Sequence, residues 1–128
     1  MGGVRSNEEE FRKLAESKND EPFVMLNLLR FRKGGADSYA RYMEGANKHV
    51  AAVGGKMIYL GKANELLNGD TRWDLVMLVK YPSRKAFLKM ANDPDYLEVH
   101  KYREDAVEDA VLYATDEIHY RQFLSDTE

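Results

Sequence analysis

The sequence contains no cysteine, so disulfide bonds, thiolate metal sites and a cysteine nucleophile are all excluded. It also lacks an excess of positive charge, since 19 lysines and arginines stand against 22 aspartates and glutamates, a formal net charge of −3. A mildly acidic chain without a basic block is poorly suited to binding nucleic-acid phosphates. No apolar run approaches the roughly 20 residues that a membrane-spanning helix needs. We therefore expect neither nucleic acid nor a membrane as a partner.

Sequence motifs for nucleotides, metals and hydrolases are missing as well. The chain has no P-loop, no G-x-G-x-x-G segment and no G-x-S-x-G elbow. Its three histidines, His49, His100 and His119, do not have the short spacing of paired metal ligands. No metal site and no cofactor are predicted.

The composition is that of an ordinary globular domain. Hydrophobic residues make up 44% and charged residues 32% of 128 residues, which is enough for one domain. Residues 1–5 are not followed by the apolar stretch of a secretion signal, so we expect a cytoplasmic protein. We divide the chain into an N-terminal helical extension (1–21), a core domain (22–116) and a tail without a clear period (117–128).

Hydrophobic periodicity predicts six core elements. In chain order they are a strand at 23–31, a helix at 37–53, strands at 55–63 and 73–81, a helix opened by Ser83 and restarted by Asp93 and Pro94, and a strand at 110–115. No helix-sized segment separates the second and third strands, so they are expected to pair as a hairpin. Alternation in the second strand places Met57, Tyr59 and Gly61 on one face.

Local capping signals suggest where two of the helices begin. Ser6 and Glu9 match a capping box for the N-terminal helix, which is expected to end near Asn19. Asp37 or Ser38 is expected to cap the first helix of the core domain.

The order strand, helix, strand, strand, helix, strand predicts an α+β fold of the ferredoxin-like βαββαβ type, with an antiparallel sheet and helices on one face. Because the strands are apolar on both sides, the other face must also be covered. A second copy of the chain, packed sheet against sheet, would do this, and a homodimer is therefore predicted. The N-terminal helix or the tail is the alternative cover.

Three side chains on the second core helix are the main candidates for catalysis. Tyr96, His100 and Arg103 are spaced i, i+4 and i+7, which places a phenol, an imidazole and a guanidinium on one helix face. His100 would act as general acid or base, and Arg103 would hold an anion through two hydrogen bonds. The alternative is structural: Tyr96 belongs to the core and Arg103 pairs with an acidic neighbour at the surface.

Five further residues are candidates for substrate binding. Asn27 interrupts an apolar strand, where its amide must find partners, either a ligand carbonyl or a loop. His49 lies at the edge of the apolar stripe of the helix predicted at 37–53. It faces the same cleft as Asn27, or it is a structural residue at the C-terminus of that helix. Arg30 would counter an anionic ligand or reach solvent. Arg72 and Trp73 would line a pocket mouth, with a core or dimer contact as the alternative for Trp73.

The order and spacing of several short motifs resemble the dimeric α+β barrel superfamily and, within it, the DUF1330 family of unknown function. The motifs are Tyr39-Ala40-Arg41-Tyr42, Gly54-Gly55, Trp73-Asp74, Tyr81-Pro82-Ser83 and Asn92-Asp93-Pro94-Asp95-Tyr96 with Arg103 after them. The resemblance implies a ferredoxin-like subunit that dimerises through its sheet, and it supports Tyr96 and Arg103 as motif positions. The superfamily includes cofactor-free monooxygenases, lactone isomerases and haem-dependent enzymes.

Three functions follow as hypotheses. The first is binding of a small metabolite in a cleft between helices and sheet, with cofactor-free proton transfer or monooxygenase-type chemistry. In it Tyr96 and Asn27 would orient the substrate. The second is a non-catalytic homodimeric binding or assembly module. The third is a haem-dependent enzyme of the same superfamily.

Overall fold

The computed structural model describes residues 6–127, and its side chains through residue 124. In chain order the elements are α1 (Glu8–Glu16), β1 (Phe23–Phe31), α2 (Gly35–Ala52), β2 (Lys56–Lys62), β3 (Leu75–Tyr81), α3 (Arg84–Ala91), α4 (Pro94–Ala106), β4 (Val107–Thr115) and α5 (Tyr120–Thr127). In this part of the chain, no helix has both the length and the apolar character that crossing a bilayer requires.

The four strands form one sheet in the order β2-β3-β1-β4, with every neighbouring pair antiparallel. This arrangement confirms the predicted α+β ferredoxin-like fold and the β2–β3 hairpin. The central strand β1 places Asn27 between Met77 of β3 and Leu112 of β4. Side chains near the middle of β1 are therefore flanked by strands on both sides.

One face of the sheet is covered by helices and forms the core. Along β1 the buried residues alternate as expected, with Phe23, Met25, Asn27 and Leu29 on the covered face. Phe23 stacks on Tyr81 with ring centroids 5.7 Å apart, and α2 and α4 pack against each other above the sheet. Asn27 thus shares the covered face with the apolar core residues of β1.

Two helix starts also agree with the sequence. The side chain of Ser83 accepts a hydrogen bond from the backbone N–H of Ala86 at 3.1 Å, and that of Asp93 accepts one from Asp95 at 2.9 Å. These contacts satisfy backbone donors of the first turns of α3 and α4. They fix where α4, which carries the main candidate residues, begins.

The capping predicted for the other two helices is wrong. Helix α1 begins at Glu8 after Asn7, without a side-chain cap, and it ends at Glu16. Helix α2 begins at Gly35, before both Asp37 and Ser38. The first residue of α2 is tightly packed, since a Cβ on Gly35 would lie 2.1 Å from the carbonyl oxygen of Ala106. The hydroxyl of Ser38 donates instead to the Asp105 carboxylate at 2.9 Å.

The predicted alternation along β2 holds for Tyr59 and Gly61 but is wrong for Met57, because the strand is irregular. Met57 pairs with Val79, whereas Tyr59 pairs with Leu78, so the register shifts between them. Such a bulge places one extra residue, Ile58, in the strand. Met57 therefore lies on the helix-covered face of the sheet and Tyr59 on the opposite face.

Two strands begin at other residues than expected. Strand β3 begins two residues later than predicted, at Leu75. Asp74 just before it bonds to both sides: its N–H donates to Leu29 at 2.7 Å, its carboxylate accepts from the N–H of Phe31 at 2.8 Å, and its carbonyl oxygen accepts from the N–H of Ala63 at 3.1 Å. Strand β4 begins at Val107, directly after α4. The tail for which no period was recognised contains α5.

The opposite face of the sheet stays open. Leu26 and Leu28 of β1 are half-buried there, and Tyr113 of β4 is 64% exposed. Helix α1 packs against α3 on the helix side of the sheet and does not cover the open face. On α5, Phe123 is 48% exposed. We call this uncovered surface the open face; its apolar members are Val24, Leu26, Leu28, Tyr59, Val76, Leu78, Val111 and Tyr113.

Candidate functional site

A cavity of about 580 Å³ lies between the covered face of the sheet and helices α2, α3 and α4. Its size is in the range that holds small molecules in other proteins. Four residues predicted from the sequence line it together, namely Asn27, Tyr96, His100 and Arg103. The spacing on α4 thus brings the three candidate side chains to one cavity, opposite Asn27.

Arg103 is a buried cation without an acidic partner. Its side chain projects from the third turn of α4, and the residue is only 8% exposed. Among the described residues it forms no ion pair, and Glu98 pairs instead with Lys101 at 3.1 Å. Its neutral neighbour is the Tyr39 phenol, where the Arg103 charge opposes the rise in pKa that burial causes. A buried charge is costly unless a counter-charge or hydrogen bonds satisfy it. Arg103 therefore leaves its guanidinium available to a ligand.

Asn27 is buried to a similar extent, at 6% exposure. Its backbone is fixed in the ladders to Met77 and Leu112, and the residue lines the cavity. Its amide is not among the fully buried groups without a hydrogen-bond partner; in the described part of the chain that position is held by the Tyr39 hydroxyl. The amide can both donate and accept hydrogen bonds. In the cavity it offers an oriented pair of polar groups at a fixed point of the sheet.

A chain of hydrogen bonds links α2 to α4. The hydroxyls of Tyr42 and Tyr96 lie 2.7 Å apart, and the Tyr96 hydroxyl lies 3.5 Å from Nδ1 of His100. Burial raises the pKa of Tyr42 and of Tyr96, so both phenols stay protonated at neutral pH. The chain can therefore donate or accept a hydrogen bond at His100 without creating a charge.

His100 is neutral in this environment at neutral pH. Burial lowers its pKa from 6.5, and the positive charge of Arg103 lowers it further, while Glu104 opposes the shift. A neutral imidazole can accept a proton, which is what a general base requires. Its Nε2 has no hydrogen bond to the described residues. Among them, no group of three or more histidines or carboxylates could hold a metal ion.

The role of the tyrosines on α2 was not predicted from the sequence. Tyr39 and Tyr42 entered only as part of the motif Tyr39-Ala40-Arg41-Tyr42, yet Tyr42 begins the hydrogen-bond chain. The Tyr39 hydroxyl is buried without a hydrogen-bond partner, and burial raises the pKa of this phenol. The available signal was the presence of two phenols at positions where leucine would suffice for an apolar helix face.

His49 does not line the cavity. It is half-buried, and its ring meets the Tyr96 ring edge-on with centroids 6.1 Å apart. It therefore contacts Tyr96 from outside the cavity.

Arg30, Arg72 and Trp73 gather at one end of the open face, away from the cavity. Arg30 pairs with Glu108 at 2.8 Å and with Asp109 at 3.3 Å, and its guanidinium lies 5.5 Å from the Trp73 ring centroid. It also donates to the carbonyl oxygen of Arg72 at 3.4 Å. The charge of Arg30 is thus neutralised within the chain, in contrast to that of Arg103.

The family model of DUF1330, a domain of unknown function, matches residues 29–116. The chain belongs to the DUF1330 family. The match spans α2 to β4 and so includes Tyr96, His100 and Arg103, whereas Asn27 precedes it. No curated protein matches the chain.

One solved structure is similar to the chain over nearly its whole length. The DUF1330 chain is 32% identical to RPA0582, a protein of unknown function from Rhodopseudomonas palustris, over 93% of this chain and 99% of that one, with a TM-score of 0.85.

Two more distant structures share the fold alone. A dimeric ferredoxin-like protein of unknown function from Bacteroides fragilis is 11% identical over 75% of this chain and 96% of its own, with a TM-score of 0.54. An antibiotic biosynthesis monooxygenase-like protein from Bacteroides thetaiotaomicron is 15% identical over 78% and 90%, with a TM-score of 0.55.

Proposed function

We propose that this DUF1330 protein binds a small anionic metabolite in the cavity between sheet and helices, with Arg103 as the anion-binding group. The observation that carries the proposal is a guanidinium on a residue 8% exposed, without an ion pair among the described residues, on the wall of a cavity. A carboxylate or enolate would satisfy it through two parallel hydrogen bonds. Asn27 would then hydrogen-bond a neighbouring oxygen of the ligand.

The reaction that this site supports best is proton transfer without a cofactor. Neutral His100 would take a proton from a carbon next to a carbonyl group, and the resulting enolate oxygen would be stabilised by Arg103 and Asn27. Tyr96 would hold the imidazole through its hydrogen bond to Nδ1. Monooxygenase-type oxidation of the same anion is the second reaction class in this proposal.

The protein is proposed to act as a homodimer joined through its open faces. The support is the row of half-buried leucines and valines on a face that neither α1 nor the other helices cover. Burial of such a row against a second copy removes apolar surface from water, and monomers rarely leave a patch of this kind uncovered. The cavity lies on the other side of the sheet and stays accessible in such a dimer.

Calorimetric titration of butanoate, benzoate and 2-oxobutanoate tests the binding site. We expect saturable binding of at least one of them, and a loss of about ten- to hundredfold in affinity in Arg103→Gln, because a hydrogen bond to a charged group contributes about 1.5–3 kcal/mol. Arg41→Gln on the exposed side of α2 is the matched control, since it removes the same charge away from the cavity. Equal affinities in both variants would refute the site.

Deuterium exchange separates a catalyst from a binding module. In D₂O, His100 would remove a proton from C3 of 2-oxobutanoate and return a deuteron, which NMR detects as loss of the C3 proton signal. We expect His100→Gln to stop enzyme-dependent exchange while binding persists. Binding without exchange in the unmodified protein would favour the non-catalytic module.

A further inference from the structure

The methionines of this chain converge on the cavity. The sequence has six, of which Met1 lies outside the described residues, and the other five all line the cavity. They come from five different elements: Met25 from β1, Met43 from α2, Met57 from β2, Met77 from β3 and Met90 from α3. No local sequence pattern produces such a set, because the fold alone brings these side chains together.

Methionine suits a wall that must adapt to its contents. The side chain is unbranched, has three rotatable bonds and carries a polarisable sulfur, so it fills irregular apolar space at low cost. In a core without a ligand, leucine and isoleucine are the better choice, because their side chains have fewer conformations than that of methionine. Five methionines around one cavity therefore point to an apolar ligand segment that is itself flexible.

The cavity has a polar end and an apolar end. Arg103, His100 and Asn27 mark the polar end. The apolar end is lined by Val50 and Tyr81, which meet at Gly55: a Cβ there would lie 2.7 Å from the Val50 side chain and 3.1 Å from the Tyr81 ring. Asn47 and Asn92 are further polar members of the cavity lining.

The β1–β3 register connects the two ends of the cavity. Asn27 pairs with Met77, and Phe23 pairs with Tyr81. The ends are therefore four residues, or about 13 Å, apart along the sheet. Met25 lies between them on the same face.

We infer that the ligand is a monocarboxylate with a flexible, unbranched apolar tail. The carboxylate binds Arg103, as in the proposed function on which this inference rests, and the tail extends among the five methionines toward Tyr81. Lys56 belongs to the rim of the cavity, but it pairs with Lys80, which places its side chain on the open face of the sheet. A ligand with two carboxylates is the competing class.

A chain-length series tests the inference by calorimetry with straight-chain carboxylates from butanoate to decanoate. We expect affinity to rise about three- to fourfold for each added methylene, as for transfer of apolar surface out of water, until the cavity is full. Alkanols with the same tails supply the tail without the anion and are expected to bind at least tenfold more weakly. Tighter binding of the matching dicarboxylates would overturn the inference in favour of the competing class.

Two variants that fill the apolar part sharpen the test. Ala91→Leu on α3 and Ala46→Leu on α2 both add volume to the lining. We expect each to move the optimum to a shorter chain while butanoate binds as before. Ala51→Leu on the exposed side of α2 is the matched control and should leave the optimum unchanged.

NMR of ¹³C-methyl methionine locates the tail directly and does not depend on a variant that folds. Met77, which pairs with Asn27, should shift with every carboxylate, whereas Met90, which contacts the Tyr81 hydroxyl through its sulfur, should shift only with long tails. If affinity is independent of chain length and the Met90 signal never shifts, the inference of an apolar tail is refuted, while the proposed anion site at Arg103 is retained. If no carboxylate binds at all, both fail.

Discussion

The two faces of the sheet use the same strands in opposite ways. On the covered face, Met25 and Leu29 are 3% and 0% exposed, and buried Asn27 lies between them. On the open face, Leu26 and Leu28 lie between the same positions and are only half-buried. The covered face therefore combines a tight core with a polar group at a cavity. The open face carries an apolar row without any amide in its middle.

This difference separates assembly from ligand binding. An apolar face that water still reaches gains free energy from a second apolar face. A buried amide and a buried guanidinium, such as Asn27 and Arg103, gain free energy only from a polar partner. Changes on one face should therefore alter association and leave ligand binding intact, and changes on the other should do the reverse.

The largest effect is expected from Leu26→Asp on the open face. A carboxylate there would be buried without a partner in the proposed dimer, which costs about 3 kcal/mol or more and corresponds to at least a hundredfold weaker association. Sedimentation velocity over a dilution series measures this. We expect the variant to be a monomer at concentrations where the unmodified protein is a dimer.

Leu67→Asp is the matched control, because Leu67 lies in the β2–β3 loop and is 86% exposed. It introduces the same charge away from the sheet and should leave the dimer unchanged. A Leu26→Asp variant that sediments like the unmodified protein would show that the open face is not the contact.

Asn27→Leu on the covered face should separate stability from function. It replaces an amide that faces the cavity by an apolar side chain, which costs less to bury, and we expect stability to rise by about 1 kcal/mol. Urea unfolding followed through Trp73 fluorescence measures this change. Carboxylate affinity should fall at the same time.

The reverse exchange, Leu28→Asn on the open face, places the same amide one residue away. It should lower stability and association while carboxylate affinity is unchanged. If Asn27→Leu were destabilising by several kcal/mol, the amide would have a structural partner and the proposed site would be wrong.

The sequence predicted the frame of the fold more accurately than its irregularities. Alternation in β1 and the caps at Ser83 and Asp93 depend on neighbours in the chain, so local patterns sufficed. The bulge at Ile58 is defined by pairing with β3, and Gly35 packs against Ala106, so both involve residues that are distant in the chain and that no local pattern contains. The same distinction explains the boundary at Val107, where β4 begins as soon as α4 ends.

For the candidate site, the sequence predicted a shared position only for residues that lie on the same helix. Tyr96, His100 and Arg103 share a helix face, so their spacing predicted that they meet. Tyr42 and the methionines reach the cavity from separate elements, and their convergence is a property of the tertiary structure. Burial of Arg103 without a counter-charge is likewise not readable from spacing, because it depends on where every acidic side chain lies.

Tyr42→Phe should have a smaller effect than the changes above. It removes the buried hydrogen bond of 2.7 Å to Tyr96, a loss of about 1 kcal/mol in stability. Tyr102→Phe on the exposed side of α4 is the matched control and should be neutral. We also expect slower exchange in the deuterium assay, because Tyr96 then orients His100 less well. Equal stability of both variants would argue against a hydrogen bond between the two phenols.

The smallest expected effect is a change in pH dependence in His100→Gln. Burial holds the pKa of His100 below 6.5 in the folded protein, whereas the unfolded chain binds a proton at the ordinary pKa. Unfolding therefore takes up a proton as pH falls below about 6.5, and this lowers stability until the folded pKa is reached. Urea unfolding at pH 7.5, 6.5 and 5.5 should show a shallower decline in the variant than in the unmodified protein. His119→Gln, which changes an exposed histidine, is the control and should retain the full decline. A decline of the same size in all three proteins would mean that burial does not lower the pKa of His100 and that the site does not hold a neutral base.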